Sequence, residues 1–246
     1  MNKEIIDALA PKGVLRAGIN MANFLLVSGI RPDGTLEGVS PDLARRIAAE
    51  IGVPCEMIPY ESPGALADAV RDDEWDIANI AAEAERAQQI DFSLPYVQID
   101  ANFLTRKDAA FTSNTDVDKD GVRIAAYERS AYDLWLTENF TRASMIRSES
   151  IARSHQDFKD DKADVLASLK PKLLEEIAAN PDFKIIEPPF TGIKQSVGIK
   201  KGNPDARRFL DTLITDLIGS GFIEALMEKY GVDEKLSIPA QITQPG

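Results

Sequence analysis

Cys55 and His155 are the chain's single cysteine and single histidine. Cys55 sits in an apolar, strand-like run, Val53 to Ile58, and reads as a buried structural thiol. Without a second thiol, an intramolecular disulfide and a thiolate metal cluster are both excluded. With one imidazole, a histidine-rich metal site and a metalloprotease helix motif are excluded too. His155, between Ser154 and Gln156, reads as a solvated loop residue rather than a general base. The glycines are scattered singly and form no phosphate-cradling motif. No metal and no cofactor is therefore expected. Ser130 opens a helical segment. The same serine also reads simply as an N-cap.

The overall charge bears on the partner. Forty acidic and 28 basic residues give a net charge of −12. A general nucleic-acid binder needs a basic face to displace counterions, so that class is excluded. A small anionic ligand is still allowed, because a few buried cations set the local field of a pocket.

These residues must be positioned by a scaffold, and the chain is long enough for two units. Its 246 residues, 44% hydrophobic and 28% charged, suit two lobes of ordinary domain size better than one core. No apolar run approaches the roughly 18 residues of a membrane-spanning helix. The N-terminal segment MNKEIIDALAPKGVLRAG lacks the long apolar core of a secretory signal.

Strand and helix alternate from the start. Val14 to Ile19 reads as a strand. Ser40-Pro41 opens a helix, with Ser40 as N-cap, and Leu43, Ile47 and Ile51 form its apolar face until Gly52 stops it. Pro54 to Pro59 is the next strand, Ala65 to Val70 a helix, and Trp75 to Ile80 a strand. After a polar break, Asp108 to Gly121, a second series begins with the strand Val122 to Ala126 and the helix Ala131 to Phe140. Ser144 to Arg147, Ala163 to Ala167 and Phe183 to Ile186 read as further strands, with helices between them. Asn203-Pro204 caps an amphipathic helix, and Gly221 to Tyr230 forms another, closed by Gly231. This is α/β grammar with a largely parallel sheet. Two extended segments, Ile99 to Arg106 and Ile193 to Lys200, flank the second series. If both cross between lobes, residues 105–195 form an inserted lobe, and residues 1–104 with 196–246 form the other.

Four motifs then carry a resemblance over nearly the whole chain, from about Val14 to Val232. Gly38 to Gly52 resembles a "G-F-D-V-D-L-A" helix. Trp75-Asp76-Ile77-Ala78 resembles the strand leading into a site. Glu85-Arg86-Ala87 followed by Ile90-Asp91-Phe92-Ser93-Leu94-Pro95-Tyr96 resembles an "E-R-A…V-D-F-S-x-P-Y" signature, the most specific of the four. Lys200-Lys201-Gly202-Asn203-Pro204 resembles "K-K-G-N-P". In this order they are similar to the family-3 extracellular solute-binding proteins, the polar-amino-acid-binding components of bacterial ABC importers. The resemblance implies a type II periplasmic-binding-protein, or Venus flytrap, fold. Two α/β lobes joined by two hinge strands would close on a ligand. It implies a periplasmic, commonly monomeric binding protein with transporter membrane subunits as partners. A native start at Met1 would instead place it in the cytoplasm, as a sensor or scavenger.

The site residues implied by the resemblance follow position by position. Arg86 matches the arginine that grips the ligand carboxylate, for which a rigid guanidinium fork is well suited. Asn79 and Ala81 fall where the family has ligand-contacting backbone and a hydroxyl, which Ala81 lacks. Asn20, Asn23 and Phe24 fall in the loop that supplies polar and aromatic contacts, or they serve only as loop caps. Tyr127 and Ser130 match the turn that binds the other carboxylate oxygen. The family's ammonium-binding aspartate appears as Leu169, followed by Lys170. A buried, unpaired ligand ammonium is costly. The expected ligand is therefore a carboxylate without a free α-amino group, or one whose second acid meets Lys170. Asp160, Asp161 and Asp164 are the residues that would otherwise restore an ammonium contact. The resemblance also extends to cyclohexadienyl dehydratase, an enzyme on the same fold. That reaction would need a buried acid, with Glu83 and Glu128 the candidates by position.

Overall fold

The computed structural model describes residues 3–240. The last residues of the polar tail, 241–246, lie outside the described residues. The elements in chain order begin with α1 (Lys3–Leu9), β1 (Leu15–Asn20), β2 (Gly29–Ile30), β3 (Leu36–Glu37), α2 (Val39–Ile51), β4 (Cys55–Tyr60) and α3 (Pro63–Asp68). Then come β5 (Ile77–Ala81), β6 (Ile90–Phe92), β7 (Val97–Arg106), β8 (Arg123–Tyr127), α4 (Ala131–Asn139) and β9 (Ser144–Ser148). The chain continues through α5 (Ile151–Lys159), β10 (Val165–Leu169), α6 (Lys170–Ala179), β11 (Phe183–Lys200), α7 (Pro204–Gly219) and α8 (Phe222–Lys229).

Contacts divide the chain into two compact units, Met1–Gln98 with Lys194–Gly246, and Ile99–Ile193. Two strands, β7 and β11, run through the points of division.

In the first unit, β1 pairs in parallel with β4 and with β5, and the end of β11 runs antiparallel to β5 and β6. The core here is built from Leu66, Val70, Trp75, Ala78, Ile80 and Ile90. Trp75 is not part of the strand. It is buried, and its indole N–H donates to the Leu66 carbonyl (2.9 Å), which leaves Ile77 to begin β5. The start of α2 also differs from expectation. Gly38 is the N-cap, at φ 142°, and a Cβ there would collide with the Leu26 carbonyl oxygen. Ser40 makes no cap bond. Its hydroxyl meets the Tyr96 hydroxyl (3.1 Å), and its amide donates to Leu26 (3.0 Å). Gly52 ends the helix as expected, in the left-handed conformation.

In the second unit the order is β7-β10-β8-β9, with β10 antiparallel to β7 and parallel to β8, and β8 parallel to β9. Leu104, Ala125, Phe158, Leu166, Leu173 and Phe183 form its core. The strand expected over Ala163 to Ala167 lies two residues later, so Leu169 closes it. His155 corrects the loop reading. It lies on α5 at 4% exposure, hydrogen-bonded through both ring nitrogens. Cys55, expected to be buried, is half-buried at the start of β4, and burial raises its thiol pKa.

Candidate functional site

Ligands of open α/β sheets bind outside the carboxyl ends of the strands. In the first unit, β1 ends at Asn20 and the neighbouring β5 ends at Ala81. The loop after β1 carries Asn23 and Phe24, and a short 3₁₀ turn after β5 carries Arg86. The candidates Asn20, Asn23, Phe24, Ala81 and Arg86 thus follow the same edge of adjacent parallel strands.

Arg86 is 5% exposed, and its Nη1 donates to the Ala81 carbonyl (2.9 Å). That bond ties the guanidinium to the end of β5. The side chains of Asn20 and Asn23 are used within their own loop. Asn20 accepts from the Ala22 amide (3.2 Å) and Asn23 from the Leu25 amide (3.3 Å), both Asx-type turns. Phe24 is half-buried. Asn79 points into the fold. Its Nδ2 donates to the Ser40 carbonyl (2.7 Å), and its buried Oδ1 has no hydrogen-bond partner among the described residues. Asn79 ties β5 to α2, and its backbone lies between β1 and β11 in the sheet.

In the second unit, β8 ends at Tyr127, and Ser130 caps α4 by accepting from the Asp133 amide (3.2 Å). Arg129 before it is in the left-handed region, φ 56°, and its amide donates to the Asp133 carboxylate (2.8 Å). Burial raises the Asp133 pKa, against the hydrogen bond from that amide and the attraction of Arg147. β10 pairs beside β8, so Leu169 and Lys170 stand one strand over from Tyr127 and Ser130. Lys170 is partnered, with Nζ 2.7 Å from Glu187 Oε1. Asn102 on β7 supports that pair, donating to Glu187 (3.2 Å) and to the Ile186 carbonyl (3.0 Å).

Asp160, Asp161 and Asp164 do not reach this edge. They precede β10, and its five residues separate them from Leu169 by about 15 Å. Each has a structural partner. Asp160 accepts from Gln156 (2.6 Å), Asp161 pairs with Arg106, and Asp164 takes a double hydrogen bond from Arg123 (2.8 and 3.1 Å). None of the three carboxylates stands beside Leu169 to meet a ligand ammonium. Of the two acid candidates, Glu128 is exposed and Glu83 half-buried.

The comparisons with known proteins agree with this architecture. The family model of bacterial extracellular solute-binding proteins, family 3, matches residues 19–233. The chain belongs to that family. It is similar to the L-cystine-binding protein TcyJ of Escherichia coli K12, 25% identical over 233 residues, 93% of this chain and 87% of the relative. It is also similar to the ABC transporter glutamine-binding protein GlnH of Bacillus subtilis, 22% identical over 208 residues, 80% of this chain and 73% of the relative. Among solved structures it shares the fold of the arginine-bound substrate-binding protein AbpA of Streptococcus pneumoniae. There the TM-score is 0.72 at 24% identity, covering 94% of this chain and 99% of that one. An ancestral amino-acid-binding protein, described as a precursor of cyclohexadienyl dehydratase, superposes with a TM-score of 0.71 at 24% identity, covering 92% and 98%.

The residues that sequence reasoning missed are Glu187, Asn102 and the partners of His155. No spacing rule marks them, because each reaches its partner from another element.

Proposed function

We propose that this chain is the solute-binding component of an ABC-type importer, acting outside the cytoplasmic membrane on a small carboxylate-bearing ligand, an amino acid or a related organic acid. The reading is non-enzymatic, with transporter membrane subunits as partners and a monomer as the working state. The observation that carries it is Arg86, a buried guanidinium held at the carboxyl end of β5 among parallel strands. A planar donor fork in that position suits a carboxylate. The second unit offers its own anion-binding end, the Ser130 turn at the start of α4.

The ligand class turns on Leu169. It puts an apolar side chain where a ligand ammonium would need an acid, and the adjoining Lys170 is held by Glu187. A keto, hydroxy or dicarboxylic acid fits this edge better than an α-amino acid does. A ligand that binds only the folded state raises its melting temperature by mass action. We expect 2-oxoglutarate, malate or a similar acid to raise it, and Arg86→Ala to remove the effect. Stabilisation by glutamine, arginine or cystine alone would make this an ordinary amino-acid receptor. If neither set moves the wild-type transition, the binding-protein reading is wrong. Prephenate, tested alongside with an assay for its loss of water, decides the enzymatic alternative.

A further inference from the structure

His155 reaches two elements from a third. From α5, its Nδ1 lies 2.8 Å from Glu176 Oε1 on α6, and its Nε2 lies 3.0 Å from Ser168 Oγ on β10. A carboxylate only accepts hydrogen bonds, so Nδ1 carries the proton and donates to Glu176. Nε2 is then an acceptor, and the Ser168 hydroxyl donates to it. This orientation follows from the partners' chemistry. Ser168 is 1% exposed and His155 4%, so water does not compete for the bond between them.

The position of this chain of bonds gives it a role. Ser168 is the last residue but one of β10, and α6 starts two residues later at Lys170. The ring therefore ties the end of the strand to the helix that leaves it. The turn between them carries Leu169 and Lys170. The Tyr132 hydroxyl is buried beside Ser168 and Ser130. The bonded chain thus ends next to the Ser130 cap.

We propose that Glu176, His155 and Ser168 form a buried hydrogen-bond relay that positions the Leu169–Lys170 turn and thereby the anion-binding end of this unit. The inference rests on the carboxylate-binding reading above. His155 is a positioning residue, because it acts through Ser168 and touches no ligand.

The relay works in one protonation state. An imidazolium donates from both nitrogens, so Ser168 would have to turn round and accept. The charges nearest the ring are Glu176 and Lys172 on α6 and Lys159 on α5. The charged residues of the neighbouring strands face other partners, Arg123 of β8 with Asp164 and Arg147 of β9 with Asp133. Burial holds the imidazole below its ordinary pKa, against the pull of Glu176, so the ring is neutral at neutral pH. On acidification Glu176 meets the new charge, and the Ser168 hydroxyl must reverse from donor to acceptor, which breaks the direction of the relay.

The chain's one histidine makes the test direct. In the ¹⁵N-labelled full-length protein at about pH 7.5, the ring should show a protonated Nδ1 and a bare Nε2. Of 2-oxoglutarate, malate, glutamine and arginine, the tightest-binding compound should bind wild type at least about fivefold more weakly at an acidic pH where the same ¹⁵N spectra show the ring charged than at pH 7.5. His155→Gln should bind it more weakly at pH 7.5 and lose that slope, and Ser168→Ala should do the same. The variants also control for titration of the compound itself. A merely structural histidine would lower the melting temperature and leave the pH slope unchanged. A protonated Nε2, or equal slopes in wild type and His155→Gln, overturns the relay alone. If none of the four compounds binds wild type, the carboxylate-binding reading fails, and the positioning role fails with it.

Discussion

Arg86 and Arg16 are two buried guanidiniums of one unit. Arg16 is locked. Its Nη2 is 2.7 Å from Asp76 Oδ1 and its Nη1 donates to the Glu74 carbonyl (3.1 Å). The hydrogen bond it donates to Asp76 raises its pKa further, against burial, so it is a permanent cation with a permanent partner. Removing one member of a buried pair strands the other charge. Asp76→Ala should therefore cost about 3–5 kcal/mol in urea unfolding while leaving the Arg86 edge intact. Arg86→Ala should behave in the opposite way. Loss of a charge-assisted bond of about 1.5–3 kcal/mol should weaken binding by roughly 10- to 100-fold in calorimetry, with a smaller effect on stability.

His155 adds a pH dependence at the same scale. Its folded pKa lies below its ordinary value, so between the two values the unfolded chain holds more protons. Stability then rises with pH across that window. It is complete above the ordinary value of about 6.5 and is lost as pH falls, at up to about 1.4 kcal/mol per pH unit. The urea midpoint should drop on acidification below that value, and His155→Gln should flatten the curve there. Glu176 acts in a lower window. Burial raises its pKa, but the bonds from His155 and Lys159 outweigh that and leave it lowered. Its contribution is lost only as the carboxylate itself protonates.

Among the elements, α2 depends on backbone geometry at its start. Gly38 adopts a φ that side chains rarely take and abuts the Leu26 backbone. Gly38→Ala must move backbone, and should lower stability by more than the roughly 1 kcal/mol of an ordinary Gly→Ala mismatch. Gly18, on β1, faces a different obstacle. A Cβ there would come within 2.5 Å of Leu66 Cδ1 and 3.2 Å of Trp75. Side chains can give way where backbone cannot, so Gly18→Ala should cost about 1–3 kcal/mol as an overpacked core. Comparing the two variants by thermal unfolding would separate backbone strain from crowding.

Over the whole molecule, each unit carries one of the two tryptophans, Trp75 in the first and Trp135 in the second. Trp75 is buried in its core, and Trp135 packs on Phe140 and Phe190 (6.1 and 5.4 Å between ring centroids). Trp135→Phe and Trp75→Phe therefore leave single reporters of each unit. A ligand held by both units, at about 100 times its dissociation constant, should add roughly 2.7 kcal/mol and move both fluorescence transitions. Movement of one transition alone would confine binding to one of the two edges.

Much of this was legible in the sequence because it is written locally. The alternation of strand and helix, the Gly52 stop, the Ser130 cap and the Asn203-Pro204 start depend on neighbours a few residues away. The Glu85-Arg86 and Asp91-Phe92-Ser93 signature likewise lies within one stretch. What only the tertiary structure decided depends on partners from distant elements. His155 looked like a loop residue, because Ser168 and Glu176 meet it from β10 and α6. Ser40 looked like a cap, until Tyr96 supplied its partner from 56 residues away. Asp164 looked available to a ligand, until Arg123 took it. Lys170 looked like a bare cation, until Glu187 arrived along β11. Periodicity and caps act between near neighbours along the chain, whereas polar pairing depends on which side chains folding brings within about 3 Å.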